Sequence, residues 1–486
     1  MAGTTDLALL SAAEQGRLIR ARKISPVELV QRCLERIERY DGTLRAYITV
    51  CADAALQAAR EAEREIAAGR YRGPVHGIPY GVKDQLNTRG IRTTLGARVL
   101  ENHVPDHDAA VVERLNAAGA ILIGKENLHE FGKGGTHVFP FGQPRNPWSV
   151  EHTPASSSSG SGIAPAAGFT SGSLGEDTGG SVRSPAAANG VVGLRPTYGR
   201  VSRYGGVMHG WTADTIGPLT RTVEDNALFL QAIAGHDPHD PLTSRRPVPD
   251  YGAALVEDLR GLKLGVVREM TWVEGGHPEV RAAMERALDT LRHLGAQVVD
   301  VSLKLAKHAV PLQLLTSDSD IASVMLEQWL RTHWNDLDRG TRTRLAAGAL
   351  IPAAMYHRAM RARVLVRREV FDVLRTCDAL LCPTSLNPPG KIDAVRETVE
   401  SAEDMEKKVL LRRISTYPFS MANVPAIAVP AGYTTAGLPV SLQIAAKPFD
   451  ESTVFRVAHA YERATPWHQR HPDLEHTVRQ RAEAAA

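Results

Sequence analysis

The chain has 486 residues, with 57 lysines and arginines against 54 aspartates and glutamates, and a formal net charge of +3 at neutral pH. This near balance points to neither a nucleic-acid partner nor a membrane surface, and no apolar run is long enough to span a bilayer. The four cysteines include no Cys-x-x-Cys pair, which favours free thiols in a reducing compartment. We therefore expect a soluble cytoplasmic protein with a large hydrophobic core.

The first 70 residues have the apolar period of helices. Ser25 and Pro26 supply the cap and the first turn of one helix, and residues 52–68 predict an alanine-rich second one. Residues 44–50 alternate like a short strand. We interpret residues 1–70 as an N-terminal helical arm. The arm could pack on the body of the protein or on a second copy, so the sequence leaves a homodimer open.

Residues 71–470 alternate short apolar runs with helical periods, and we assign them to one domain, followed by a C-terminal tail at residues 471–486. The predicted strands are residues 78–83, 120–124, 262–267, 297–301, 379–382, 427–430 and 440–444. The predicted helices are residues 108–118, 222–234, 279–294 and 452–464, with further long helical patterns from 320 to 375. This alternation predicts an α/β fold with three α/β/α layers and a large mixed, mostly parallel central sheet.

Residues 154–185 consist mainly of serine, glycine, alanine and other small residues. Such a composition is typical of a flexible linker. Against that interpretation, the charged residues Glu176, Asp177 and Arg183 lie inside the segment, which leads directly into the apolar residues 189–194. We therefore expect an ordered segment, in which glycine lets the backbone approach a small ligand closely.

Ser181 follows two glycines, so the backbone N–H groups from Thr178 to Ser181 can converge on one point. A tight turn is the alternative for this tetrapeptide, and a nucleophilic serine would also need a base. One candidate base is Lys83, which ends the strand at 78–83 and becomes less basic if it is buried; its alternative is a surface pair with Asp84. The other candidates are histidines, although no G-x-S-x-G elbow frames the serine; these are His129, His137, His152 and His209.

Several motifs resemble the amidase signature family and occur in that family's order. They are GIPYGVKD, GKENLHEFGKGGT, FGQPRNPW, SSSGSG, GEDTGGSVRSPAAANGVVGLRPTYGRVS and DTIGPLTRTVED. The C-terminal VPAIAVPAGYTTAGLPVSLQIAAKPFDE is similar to the closing strands of the same family. The resemblance covers residues 70–235 and 410–465, and it identifies residues 71–470 as an amidase signature catalytic domain.

The resemblance implies a Ser–cisSer–Lys catalytic triad. The acyl-forming nucleophile corresponds to Ser181, the basic residue to Lys83, and the bridging serine in a cis peptide to Ser157. Where the family has two glycines before the bridging serine, this chain has an Ala-Ser pair, so Ser158 is a rival for that role. Site-directed replacement of each serine can separate the two registers.

The resemblance also implies which neighbours support the triad. Thr178, Gly179 and Gly180 would supply the N–H groups of an oxyanion hole. Asp177 and Arg183 would brace the same loop through hydrogen bonds and a charge pair. The predicted site therefore lies almost entirely within the Gly/Ser-rich segment, with the lysine contributed by an earlier strand.

The walls of the acyl pocket follow from the same resemblance. They would come from residues 131–139 and from the long helices between residues 320 and 375. Apolar candidates in those helices are Met325, Trp329 and Met355. All three side chains are also large enough to be ordinary core residues, which is the alternative interpretation.

The implied activity is hydrolysis of a linear, small-molecule amide to a carboxylate and an amine or ammonia, without a metal or an organic cofactor. A carbamate (urethane) hydrolase, an aryl-acylamide hydrolase and a glutaminase-type subunit of a tRNA amidotransferase stay open. In the glutamine-using subunits an acidic residue before the closing strands holds the substrate amino group, and this chain has Arg413 there. That difference argues for a stand-alone amidase. A non-hydrolytic subunit that needs a partner is the alternative from another class.

Overall fold

The computed structural model describes residues 6–325, 331–393 and 401–485. Eleven strands in these ranges form one sheet. In chain order they are β1 Tyr47–Val50, β2 Pro79–Lys83, β3 Ile121–Glu126, β4 Gly172–Asp177, β5 Val192–Arg195, β6 Thr215–Thr220, β7 Lys263–Val267, β8 Gln297–Val301, β9 Ala379–Pro383, β10 Ala426–Tyr433 and β11 Pro439–Ala446. Across the sheet their order is β1-β3-β2-β4-β6-β5-β10-β11-β9-β7-β8.

The α-helices of the described ranges surround this sheet. They are α1 Ala12–Arg20, α2 Pro26–Leu44, α3 Ala52–Ala67, α4 Ala110–Ala117, α5 Ser159–Ala166, α6 Arg183–Asn189, α7 Val223–Ile233, α8 Arg268–Thr271, α9 Pro278–His293, α10 Ala306–Met325, α11 Arg339–Ala349, α12 Ala353–Leu374, α13 Ala402–Arg413, α14 Tyr417–Ala422, α15 Glu451–Arg463 and α16 Leu474–Ala485. The Gly/Ser-rich segment contains α5 and β4 and leads into α6, so it is not a linker.

The sheet is mixed, as the sequence predicts, but the expectation of a mostly parallel sheet is wrong. Among the described strands, β2 is parallel to β3 and β4, and β7 is parallel to β8 and β9. The other pairings are antiparallel: β1 with β3 at one edge, and the run from β4 to β9 across the centre. The reason is that β10 and β11 form a hairpin that lies between β5 and β9. Alternation of strands and helices along a chain does not determine the direction of each strand.

Helices cover both faces of the sheet, and the predicted three-layer α/β/α fold is confirmed. Side chains of α4, α7, α9 and α15 pack on one face in the largest hydrophobic cluster. Helices α10, α12 and α14 pack on the opposite face. Strand β9 shows the division, because Ala379 and Leu381 join the first cluster whereas Leu380 and Cys382 join the second. Within the described ranges, none of the helices combines the length and the apolar composition that crossing a membrane requires.

The N-terminal residues supply an edge of the sheet. Strand β1 pairs antiparallel with β3, and the Cys51 N–H donates to Ile123 O at 2.8 Å. Helix α3 packs against both α2 and β3. The C-terminal helix α16 also reaches α2, where the Tyr40 hydroxyl donates to Glu475 Oε1 at 2.6 Å. The first and last helical regions therefore pack against each other beside this edge.

The contact between β1 and β3 requires a glycine at position 124. A Cβ added there would lie 2.3 Å from Thr49 O, a backbone atom that cannot swing aside. We expect Gly124→Ala to lower the free energy of unfolding by about 1–3 kcal/mol, the usual cost of overpacking, and to speed amide hydrogen exchange in residues 47–50. Gly42→Ala is the matched control, because nothing lies within 4 Å of a Cβ at that position in α2. Equal unfolding free energies for the two variants would contradict this description of the edge.

Candidate functional site

Two neighbouring strands bring Lys83 close to Glu176 and Asp177 of the Gly/Ser-rich segment. Strands β2 and β4 are parallel, with Val82 opposite Leu174. The carboxyl ends of parallel neighbours lie at the same edge of a sheet, which is where sites form in α/β folds. Because Lys83 ends β2 and Asp177 ends β4, the predicted base and the predicted nucleophile loop meet there.

The Lys83 amine is fully buried between a hydroxyl and a carboxylate. Its Nζ lies 2.8 Å from Ser157 Oγ and 3.2 Å from Glu176 Oε2, and neither the Lys83 nor the Glu176 side chain is exposed. The peptide bond between Ser156 and Ser157 is cis. The Ser158 hydroxyl instead donates to Glu176 O at 3.2 Å. Of the two candidate bridging serines, Ser157 is therefore the one in contact with the amine.

Burial controls the protonation of the Lys83–Glu176 pair. Burial lowers the pKa of Lys83 below its ordinary value, and the Glu176 carboxylate opposes that shift. Burial likewise raises the pKa of Glu176, while Lys83 acts in the other direction. Asp214 and Asp177 add smaller effects that raise the pKa of Lys83. The net shifts favour a neutral amine, which is the form that accepts a proton.

The loop after β4 presents backbone N–H groups beside Ser181. Gly180 has a φ of +124°, a conformation that residues with a Cβ rarely adopt. Its N–H donates to Asp177 Oδ1 at 2.7 Å, so this group is not free for the predicted role as an oxyanion donor. Within the described ranges, the N–H groups of Thr178, Gly179 and Ser181 have no such partner and stay available to a ligand.

Asp177 anchors this loop through buried arginines. It accepts hydrogen bonds from Arg183 Nε and Nη2, both at 3.0 Å, and from Arg195 Nη1 at 3.1 Å. Burial alone would raise the pKa of Asp177, but the two guanidinium groups outweigh burial and hold the pKa below its ordinary value. Arg183 also donates to Gln443 Oε1 at 2.7 Å and to Ser420 Oγ at 2.8 Å. The loop is thereby fastened to α14 and β11.

Two of the candidate histidines lie near the serines. The backbone N–H of His129 donates to the backbone carbonyl of Ser157 at 3.2 Å, and His209 lines the cavity beside Ser181. Burial lowers the pKa of His129 to about 3 and that of His209 to about 4. The described lining of this cavity includes none of the other three candidates, His129, His137 and His152. The contact between the amine and the bridging hydroxyl favours the lysine over these histidines as the base.

A small, positively charged cavity of about 30 Å³ adjoins Ser181. Three of the residues that line it are cationic, namely Lys133, Arg344 and Arg413. Its other lining residues are mostly polar or small, and include Ser156, Thr178, Gln313, Ser317 and Tyr417. A larger cavity of about 770 Å³ shares Ser156 and Arg413 with it, so the two cavities lie side by side at these residues.

The predicted acyl-pocket segments do reach this cavity, but with different side chains. Residues 131–139 contribute Lys133, and α11 contributes Arg344. Met325 is instead packed against Phe131 in a hydrophobic cluster, and Met355 is 49% exposed. The third apolar candidate, Trp329, lies outside the described residues. The expected apolar lining is therefore replaced by polar and charged groups.

Glu176, His209 and Asp214 form the one group in the described ranges whose ligand atoms lie close enough for a metal, within 4.8 Å of one another. Three of their four carboxylate oxygen atoms already have partners, and only Asp214 Oδ1 has none among the described residues. Glu176 binds Lys83 and the Thr178 hydroxyl, and Asp214 Oδ2 accepts the N–H groups of His209 and Gly210 at 2.7 and 2.8 Å. We therefore interpret the group as a hydrogen-bonded network around the lysine and assign no metal to it.

Three charged residues of the site have no predicted role: Glu176, Lys133 and Arg344. Glu176 has a sequence signal, because it immediately precedes the predicted brace Asp177 near the end of a strand. Lys133 lies within the GKENLHEFGKGGT motif, but the motif does not say where its amine points. Arg344 lies on a helix far along the chain from Ser181, and no local pattern marks it.

A family model described as Amidase matches residues 28–455. The chain belongs to the amidase signature family, and it is an enzyme that acts on amides. It is 39% identical over 482 residues to the A subunit of the glutamyl-tRNA(Gln) amidotransferase of Thermosynechococcus vestitus, covering 94% of this chain and 98% of that relative.

Solved structures agree with the family assignment. The native peptide amidase from Stenotrophomonas maltophilia is 32% identical, with a TM-score of 0.80 over 94% of this chain and 96% of that chain. A chain of a vestigial protein complex, described as revealing the evolutionary origins of an s-triazine catabolic enzyme, is 31% identical with a TM-score of 0.86. That alignment covers 93% of this chain and 98% of the other.

The Lys83–Glu176 contact predicts a specific pH dependence. The Glu176 carboxylate raises the pKa of Lys83 against the effect of burial. Glu176→Gln removes that effect, so the pKa of Lys83 should fall further and the neutral amine should persist to lower pH. We expect the acid limb of kcat/KM to move down by about 1 pH unit. The measurement is a pH–rate profile with a neutral amide substrate.

The control for this profile is Glu462→Gln. Glu462 is a buried carboxylate on α15 whose pKa is raised to about 8 by burial, and it accepts the Val223 N–H at 2.9 Å. Its replacement should leave the acid limb in place. An acid limb that stays fixed or moves upward in Glu176→Gln would rule out an effect of this carboxylate on the base.

Proposed function

We propose that this protein hydrolyses the C–N bond of linear amides through an acyl-enzyme on Ser181, with Ser157 as the proton relay and Lys83 as the base. The observation that carries the proposal is the 2.8 Å contact between Lys83 Nζ and Ser157 Oγ at a buried site. Burial lowers the pKa of an amine and so makes a lysine able to accept a proton near neutral pH. The family's action on amides supports the same chemistry.

The first half-reaction forms the acyl-enzyme. The Ser181 proton passes to Ser157 Oγ while the Ser157 proton passes to the neutral amine of Lys83. Ser181 Oγ bonds to the carbonyl carbon, and the carbonyl oxygen takes the negative charge, which the N–H groups of Gly179 and Ser181 stabilise. One donor of this kind contributes about 3–4 kcal/mol in other enzymes. The C–N bond then breaks, and the departing nitrogen receives a proton through Ser157.

The second half-reaction releases the acid. Water gives up a proton through the same relay and attacks the ester of Ser181. Collapse of this second tetrahedral intermediate breaks the bond to Ser181 Oγ, which regains its proton and leaves Lys83 neutral. Carbamates would follow the same sequence of steps. From an amide the products are a carboxylate and an amine or ammonia, and every proton in the cycle is held by a side chain of this chain, by the substrate or by water.

Replacing the serines one at a time separates their roles. Ser181→Ala should lower kcat by at least about 10³-fold and abolish the mass increase produced by a fluorophosphonate probe, with an unchanged far-UV circular dichroism spectrum. Ser157→Ala should lower kcat by about 10²–10⁴-fold, the range for loss of a proton-transfer group. Ser158→Ala is the matched control, because its hydroxyl contacts the Glu176 backbone. Ser158→Ala should lower kcat by less than about 10-fold, which corresponds to one neutral hydrogen bond.

Two results would overturn these assignments. Near-normal kcat in Ser181→Ala would remove that residue from the mechanism. A larger loss in Ser158→Ala than in Ser157→Ala would exchange the roles of the two neighbouring serines.

A second candidate is the function of the A subunit of a glutamyl-tRNA(Gln) amidotransferase. It is favoured by the 39% identity to such a protein over 94% of this chain and 98% of the relative. Hydrolysis of glutamine in that role would use the same three residues, Ser181, Ser157 and Lys83. The positive charge of Arg413 in the cavity beside the nucleophile disfavours a site that must also bind the ammonium group of glutamine.

The two candidates differ in what the chain does alone. We expect the purified chain to turn over at least one compound in a panel of aliphatic amides, anilides and aryl carbamates, because the proposed mechanism needs no other subunit. Ammonia or amine release is the measurement, with glutamine as the comparison substrate and mass spectrometry of co-purifying chains alongside. Turnover of glutamine only in a complex with a second chain, and of no amide by the chain alone, would establish the amidotransferase role instead.

A further inference from the structure

The charges around the cavity beside Ser181 are strongly unbalanced. Lys133, Arg344 and Arg413 line the cavity, and no carboxylate appears among the described residues of its lining. The nearest acidic partner is Asp318, which lies 2.7 Å from both Lys133 Nζ and an Arg344 nitrogen. One carboxylate is thus shared by two cations. The lining of the cavity therefore has an excess of positive charge even before Arg413 is considered.

Arg413 adds a further positive charge. In the described ranges its guanidinium has no carboxylate within ion-pair distance, and its described neighbour is the Tyr417 ring, 5.7 Å from the guanidinium carbon. Arg413 lines both the small cavity and the larger one, so a molecule passing from one to the other meets it. A half-buried guanidinium without a carboxylate partner has its hydrogen-bond donors available for a planar anion.

The pKa of Lys133 independently indicates that the cavity wall has too little negative charge to balance its cations. Burial and the neighbouring Arg344 lower the pKa of Lys133 to about 8, in spite of its contact with Asp318. A bound anion would stabilise the charged form of this amine, because an opposite charge nearby favours ionisation. A negatively charged ligand in the cavity would therefore reduce the repulsion between the cations of the wall.

We propose that this cavity binds a carboxylate of the substrate through Arg413, so that the substrate is a half-amide: a small molecule with a carboxamide at one end, a carboxylate at the other and no ammonium group. This inference rests on the proposed function, because it names the substrate class of the same site. The carboxylate pairs with the guanidinium while the carboxamide reaches Ser181. An ammonium group on the substrate would face Lys133, Arg344 and Arg413 with no carboxylate of the described lining to receive it.

The substrate side of the test needs no variant. The half-amides of malonic, succinic and glutaric acid are compared with their diamides, in which a neutral carboxamide replaces the carboxylate at the same size. We expect at least one half-amide to have a kcat/KM at least about 10-fold above that of its diamide, as for a charged hydrogen bond. Glutamine and asparagine add only an ammonium group to two of these half-amides, and each should be a poorer substrate than its parent.

The protein side of the test uses two neighbouring arginines of α13. Arg413→Gln should reduce the preference for half-amide over diamide by about 10-fold or more, chiefly through KM. Arg412→Gln removes the same charge one residue earlier, from an exposed side chain that lines the larger cavity but not the small one, and should leave the preference unchanged. Circular dichroism confirms that both variants are folded. Equal preference in wild type and Arg413→Gln would remove Arg413 from recognition.

Calorimetry on the Ser181→Ala protein keeps this inference separate from the proposed function. Half-amides should bind this inactive variant at least about 10-fold more tightly than their diamides, whether or not the wild type turns them over. The inference is overturned if no half-amide binds more tightly than its diamide. The proposed function fails separately, if wild-type Ser181 neither reacts with a fluorophosphonate nor supports turnover of any amide.

Discussion

Everything at this site depends on one amine that is kept out of water. Lys83 ends a buried strand, and its Nζ contacts a hydroxyl and a carboxylate at 2.8 and 3.2 Å. The serine loop can come this close because small residues line its approach. A Cβ on Gly175 would lie 2.9 Å from Ser158 Oγ, so a larger residue at this position of β4 would push the loop away from the lysine. The small residues of this segment are thus a packing requirement of the site.

Periodicity in the sequence predicts the outline of the fold. It does not predict the strands that are built from residues of low strand propensity. The predicted strands at residues 78–83, 120–124 and 297–301 each overlap a strand of the sheet. Strands β4 and β6 were not predictable in this way, since Gly172–Asp177 carries two glycines and two acids and Thr215–Thr220 carries Gly217 and Pro218. Every residue of both strands is buried, and tertiary packing therefore overrides local propensity.

The candidate site shows the same difference between what a continuous motif predicts and what depends on contacts between distant segments. Lys83, Ser157 and Ser181 lie in motifs that resemble a known family, so the sequence by itself is enough to name them. The charge of the cavity is not predictable in this way, because Lys133, Arg344 and Arg413 come from three separate segments that only folding brings together. The Gly180 N–H is a smaller example, since its sequence position suggests an oxyanion donor while the structure pairs it with Asp177.

The charges of the site form two groups. Around the amine are Glu176, Asp214 and Asp177, all of which raise the pKa of Lys83. In the lining of the cavity beside Ser181, the described charged residues are cations alone. In the proposed reaction, positive charge appears on Lys83 when it takes a proton, and negative charge appears on the carbonyl oxygen in front of it. Each charge that develops therefore finds the opposite charge already in place, which is how a preorganised site lowers a barrier without rearranging during turnover.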